Sequence, residues 1–203
     1  MAAPSVNGVG SSGNADGPPD RDDLNGEGSG PTGAPGDRPP VDVRRIRADE
    51  GTRLRQVRLD AIADSPGAFT TGWEAAAQRP IEAWARVAEA HSAAGDQITL
   101  FAEVDGSTAG MVSAFRTEDD AVTMTSLWSA PGFRRIGVAD ELVRAVREWA
   151  TSLGAVEVRQ WLVERNAHAR AFHEALGFVP TGSERPYEPA PGLQEVELRL
   201  ALR

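Results

Sequence analysis

The chain has 203 residues, a formal net charge of −9, three histidines and no cysteine. That composition excludes disulfides, thiolate metal sites and a cysteine nucleophile, and three histidines are too few to suggest a histidine-rich metal site. Net negative charge argues against a nucleic-acid partner, and no apolar run approaches the ~20 residues of a membrane span. The expectation is a cytoplasmic protein without metal, nucleic acid or membrane, either a monomer or a homodimer.

Residues 1–40 hold nine of the 21 glycines, seven of the 14 prolines and no aromatic residue. Such a stretch cannot bury enough apolar surface to offset the entropy of ordering it. It also lacks the basic start and apolar stretch of a secretory signal. We expect a disordered acidic tail over 1–40 and one domain over 41–203. Six acidic and two basic residues in the tail supply −4 of the −9.

Val41 to Ile46 alternates as a first strand does. Asp49 is placed to cap a helix whose inner face includes Leu54, Val57 and Ile62, and Pro66-Gly67 ends it. Pro80 opens a second helix with Ile81, Trp84, Val87 and His91 at helical spacing. Three strands follow, "QITLFAEV", "STAGMVSAFR" and "AVTMTSLWSA", with an Asp-Gly turn after the first and an acidic turn after the second. From Gly137 the apolar positions Val138, Leu142, Val146, Trp149 and Leu153 fall on one helical face. Ala155–Val163 is a strand again. Asn166 caps a short helix carrying Ala169, Phe172 and Leu176 inward, and "EVELRLAL" closes the chain as a strand.

A strand–helix–strand run implies a parallel pair inside an otherwise antiparallel sheet. Where a helix starts directly after a strand, its free N–H groups and dipole can hold phosphate. Gly137 and Ala139 allow close backbone approach there, and Arg134 and Arg135 add charge. The same residues also fit the solvated start of an ordinary surface helix.

Arg134-Arg135-Ile136-Gly137-Val138-Ala139 resembles the Arg/Gln-x-x-Gly-x-Gly/Ala signature of the GNAT N-acetyltransferase superfamily. Asn166 to Phe178 resembles that superfamily's second motif, and "LRQVRLDAIADSPGAF" is similar to a prokaryotic branch. The resemblance covers about residues 41–203. It implies an α+β fold: a central mixed sheet of about six to seven strands, an antiparallel meander plus one splayed parallel pair, flanked by about four helices.

The resemblance further implies direct transfer of an acetyl group from acetyl-CoA to an amine, with no enzyme nucleophile. Arg134, Arg135, Ile136, Gly137, Val138, Ala139 and Asp140 would hold the pyrophosphate. Leu127, Trp128 and Ser129 would lie along the pantetheine arm, with Asn166 and His173 also near the cofactor. A backbone N–H of Trp128 or Ser129 would steady the oxyanion. His173 stands where relatives carry a tyrosine, as a general acid or as a packing residue. The strand that supplies a glutamate base in relatives has none here; Glu103, or water held by Thr125 or Ser126, are the alternatives. Phe69, Trp73 and Trp84 would line the acceptor site, or pack as core. The expected acceptor is a small-molecule amine. A protein or peptide amine and a non-catalytic acyl-CoA sensor are the rival readings.

Overall fold

The computed structural model describes residues 38–202. Most of the tail expected over 1–40 therefore lies outside the described residues. The elements are β1 (Asp42–Arg45), α1 (Gly51–Asp64), α2 (Trp73–Gln78), α3 (Ile81–Ser92), β2 (Gln97–Val104), β3 (Ser107–Arg116), β4 (Ala121–Ser129), α4 (Val138–Ser152), β5 (Glu157–Val163), α5 (Ala167–Ala175), β6 (Val179–Pro186) and β7 (Gln194–Ala201).

The seven strands form one sheet in the order β1-β2-β3-β4-β5-β7-β6. Only β4 and β5 run parallel, and α4 makes the crossover between them. Strand alternation sends side chains to two cores. Ile98, Leu100, Ala102 and Val104 of β2 join Leu142, Val146 and Trp149 of α4 on one face. Phe101 points the other way, into a cluster with Leu54, Val57 and Ile62 of α1 and Trp84 of α3. The Asp105-Gly106 turn has both residues at positive φ, as the two-residue hairpin between β2 and β3 requires.

Several expectations are corrected. Glu50, not Asp49, precedes α1; its carboxylate accepts the backbone N–H of Arg47 at 2.8 Å instead of capping the helix. Ile81 is exposed, because α3 turns Trp84 and Ala88 inward. On α5, Ala169, Phe172 and Leu176 do pack inward against the core, partly covered, and His173 is buried beside them. Two elements had gone unread. The six residues of α2 are too few to establish a period. Most of β6 is exposed, and its prolines fit the edge position it occupies.

Candidate active site

The chain leaves β4 at Ser129, makes a single 3₁₀ turn over Pro131–Phe133, and enters α4 at Val138. Arg135 has φ 67° and Gly137 has φ 98°, while Ile136 between them does not have positive φ. Alternating backbone handedness turns successive N–H groups toward one side and makes an anion-binding concavity. The free N–H groups of the first turn of α4 extend it. A Cβ added at Gly137 would meet nothing within 4 Å, so the outer face of this backbone is open.

The two arginines of the loop behave differently. Arg134 is bound back to the protein: its Nε donates to the Ser129 carbonyl at 3.3 Å and its guanidinium pairs with Asp64. Arg135 is exposed and makes no ion pair among the described residues. Asp140 and Glu141 lie in the first turn of α4, and Glu141 is neutralised by Arg144 at 2.6 Å.

The β4–β5 ladder stops at Met124↔Gln160, although β4 continues to Ser129 and β5 to Val163. The two strands therefore open as a slot. A bulge opposite Val112 begins the divergence, since Met111 faces Trp128 but Ser113 faces Thr125. Within the bulge Ser126 has φ 59°, a left-handed conformation that costs a non-glycine residue about 1–2 kcal/mol. Past the bulge, Ala130 N donates to Ala109 O at 2.8 Å on the β3 side. Alternation then turns the Ser129 N–H toward the slot and the Trp128 N–H toward β3. Of the two alternative oxyanion donors expected from sequence, Trp128 or Ser129, only the Ser129 N–H faces the slot. The Trp128 indole is packing: it is buried against α1 and donates to Asp64.

Asn166 caps α5, its Oδ1 accepting from the Ala169 N–H at 3.0 Å. His173 is 2% exposed and sits edge-on to Phe172 and Phe178, at 5.2 and 5.1 Å between ring centroids. Its Nδ1 lies 2.8 Å from the Ala169 carbonyl. A carbonyl can only accept, so Nδ1 carries the proton and Nε2 is left as a buried lone pair without a partner. Burial pushes the imidazole below its ordinary pKa, against the hydrogen bond it donates to the Ala169 carbonyl. The neutral tautomer has no proton to give at Nε2, which opposes the general-acid role.

No carboxylate occurs on β4. Glu103, the alternative base, is bound by Arg44 at 2.8 Å and Arg53 at 2.6 Å, and these guanidiniums hold it below the usual carboxylate range despite its burial. It is an ion-pair member, not a free base. Among the described residues no group of three His, Cys, Asp or Glu side chains is gathered as a metal site.

On the acceptor side Phe69 and Trp84 are core residues, each 5% exposed, and Trp73 is half exposed. Tyr187 pins the Phe69 segment by donating to the Phe69 carbonyl at 3.0 Å. A cavity of about 460 Å³ opens beside Asp64, Thr108, Trp128 and Pro131. A second, of about 260 Å³, is lined by His91, Ser113, Phe115 and Thr125. Sequence reasoning missed Arg58, which donates to Ser126 Oγ and covers the Phe69 ring at 4.5 Å. The signal was available: Leu54, Arg58 and Ile62 are spaced by four, so an arginine interrupts an apolar row.

Residues 59–178 match the profile of the Acetyltransferase (GNAT) family, more than half of the chain. The chain belongs to this family. It is 30% identical over 108 residues to the aminoglycoside N(6')-acetyltransferase type 1 of Salmonella typhimurium, an alignment covering 46% of this chain and 74% of that one. A GNAT-family acetyltransferase from Streptococcus pneumoniae superposes with a TM-score of 0.66 at 17% identity, over 81% of this chain and all of that one. An N-acetyltransferase from Thermoplasma acidophilum, solved in complex with coenzyme A, gives 0.60 at 14% identity over 80% and 99%. The two structures share the GNAT fold with this chain: a mixed sheet with one splayed parallel pair. Of its helices, five are described here instead of the expected four.

Proposed function

We propose that this GNAT enzyme acetylates the primary amine of a small molecule with acetyl-CoA as donor. The observation that carries the reading is the loop at the start of α4, where Arg135 and Gly137 turn backbone donors outward at the mouth of the β4–β5 slot. That loop fits a pyrophosphate: its outer face is open, and among the described residues its donors are free and Arg135 makes no ion pair. The N–H groups of Ile136 to Asp140 would hold the phosphates, with Arg135 as the charge partner. Arg134 is committed to Asp64 and helps shape the loop. Leu127 and Ser129 present backbone to the slot, as an added strand would require.

Acetyl-CoA supplies the thioester; the amine nitrogen forms the C–N bond, the C–S bond breaks, and the amine gives up a proton. Ser129 N–H is aimed at the slot to stabilise the oxyanion. His173, with its proton on Nδ1, does not deliver one from Nε2, so the leaving thiolate takes its proton from solvent. The amine reaches the slot from the α1–α3 side.

Two measurements test this. Acetyl-CoA should raise the thermal midpoint, since a ligand of the folded state stabilises it. Thiol release should then appear with at least one member of an amine panel. A midpoint shift with no thiol release from any small or peptide amine would make the protein an acyl-CoA sensor.

A further inference from the structure

Arg58 reaches from α1 to Ser126 in the bulge of β4. Its guanidinium is part-buried, donates to Ser126 Oγ, and lies over the Phe69 ring. Arg44, Arg53, Arg159 and Arg185 each hold a carboxylate oxygen at 3.0 Å or closer. Arg58 holds none among the described residues. The charge that acts on it is another cation, Arg79, which stands at the surface with Cζ 4.8 Å from the Trp84 ring. Burial, and then Arg79, push the Arg58 guanidinium down to about 10.

Two neighbouring observations point the same way. Trp84 is 5% exposed, yet its indole N–H has no acceptor among the described residues. Ser126 is held at positive φ, and its hydroxyl faces Arg58 from the bulge that opens the slot. Such strain gathers at functional sites. A removed or uncompensated buried charge is unfavourable unless a counter-charge arrives. Here the missing element is an anion that takes N–H donors. The loop at the start of α4 has its own cation, Arg135, which makes no ion pair among the described residues.

We propose that the acceptor is an amine that also carries a carboxylate, gripped by Arg58 with Arg79 at the rim. This rests on the acetyltransferase reading above and specifies its substrate class as an amino acid or a close amino carboxylate. A planar guanidinium matches a carboxylate through two parallel N–H···O bonds, which fixes the position of the amine relative to the slot. A polycationic acceptor such as an aminoglycoside would instead meet two like charges. Phe69 and Trp84 then serve as the apolar platforms under the two guanidiniums, and do not themselves line the acceptor.

The test uses matched pairs that differ only by the carboxylate: phenylalanine and phenethylamine, lysine and cadaverine, leucine and 3-methylbutylamine. Thiol release should give kcat/KM at least about tenfold higher for the carboxylated member of the best pair. Arg58→Met and Arg79→Met should each collapse that ratio, while acetyl-CoA still raises the midpoint of both variants and so reports an intact fold. Equal or better turnover of the decarboxylated members overturns the proposal and leaves the transferase reading standing. A carboxylate preference that survives Arg58→Met also overturns it. Calorimetry with the same amino acids gives a readout apart from turnover. Binding to the wild type that Arg58→Met abolishes, with no thiol released from any amine, would uphold the anion site and sink the transferase reading.

Discussion

The Trp128 indole N–H donates to Asp64 Oδ2 at 2.9 Å, which ties the slot end of β4 to the last residue of α1. Arg134 and Ser65 converge on the same carboxylate. Together these donors hold Asp64 below the ordinary aspartate range, against the effect of its burial. Asp64→Ala leaves the buried Trp128 donor unsatisfied and should lower stability by about 1–3 kcal/mol. Chemical denaturation reads that loss. Acetyl-CoA affinity should be retained, because Arg134 is released and not removed. A tenfold loss would show that Asp64 instead orients Arg134 for phosphate.

Gly137→Glu should abolish the thermal shift with acetyl-CoA. The new carboxylate would stand in open space before the loop donors and repel phosphate. A side chain at φ 98° also strains the backbone, so the unliganded midpoint should fall slightly. Undiminished affinity would remove the loop from the cofactor site.

His173→Phe should keep kcat within a few-fold of wild type, because the neutral imidazole offers no proton at Nε2. Stability should hold or rise, since an unpartnered buried nitrogen is lost. A fall in kcat of two orders of magnitude, with acetyl-CoA affinity kept, would restore the acid role.

His91 and His173 both sit below their ordinary pKa through burial. The unfolded chain, with histidines near ~6.5, therefore binds more protons as pH falls through that value. Their neutral-state contribution is fully present above about pH 7 and declines as pH drops from ~6.5 toward the folded values. The thermal midpoint should be lower at pH 5.5 than at pH 7.5, and His173→Phe should flatten that slope. A midpoint independent of pH across this window would contradict the burial argument.

Gly110→Ala should destabilise the fold by about 1–3 kcal/mol through overpacking. A Cβ there would come within 2.5 Å of the Trp128 carbonyl and 2.7 Å of Val138 Cγ1, where β3 underlies both β4 and the start of α4. Thermal denaturation measures it, and a neutral substitution would mean that the strand can retreat without loss.

The loop at Gly137 was legible because its chemistry is local: a strand, a small residue and a helix start lie within ten residues. The cap at Asn166 was legible for the same reason, since its acceptor and the Ala169 N–H are three residues apart. Which arginine remains free was not legible. Arg134 and Arg135 are adjacent and alike in sequence, and Asp64, 70 residues away from Arg134, separates their roles. The role of Glu103 was hidden similarly, because Arg44 reaches it from 59 residues away.

The sequence by itself determined the antiparallel meander, the parallel crossover and the resemblance to the family, since hydrophobic period and turn residues act over a few positions. Tertiary structure alone decided the tautomer of His173, the outward N–H of Ser129 and the isolation of Arg58 from every described carboxylate. Each of these depends on what a group meets after the chain has folded back, and electrostatic partners are set by distance in space, not by spacing along the chain.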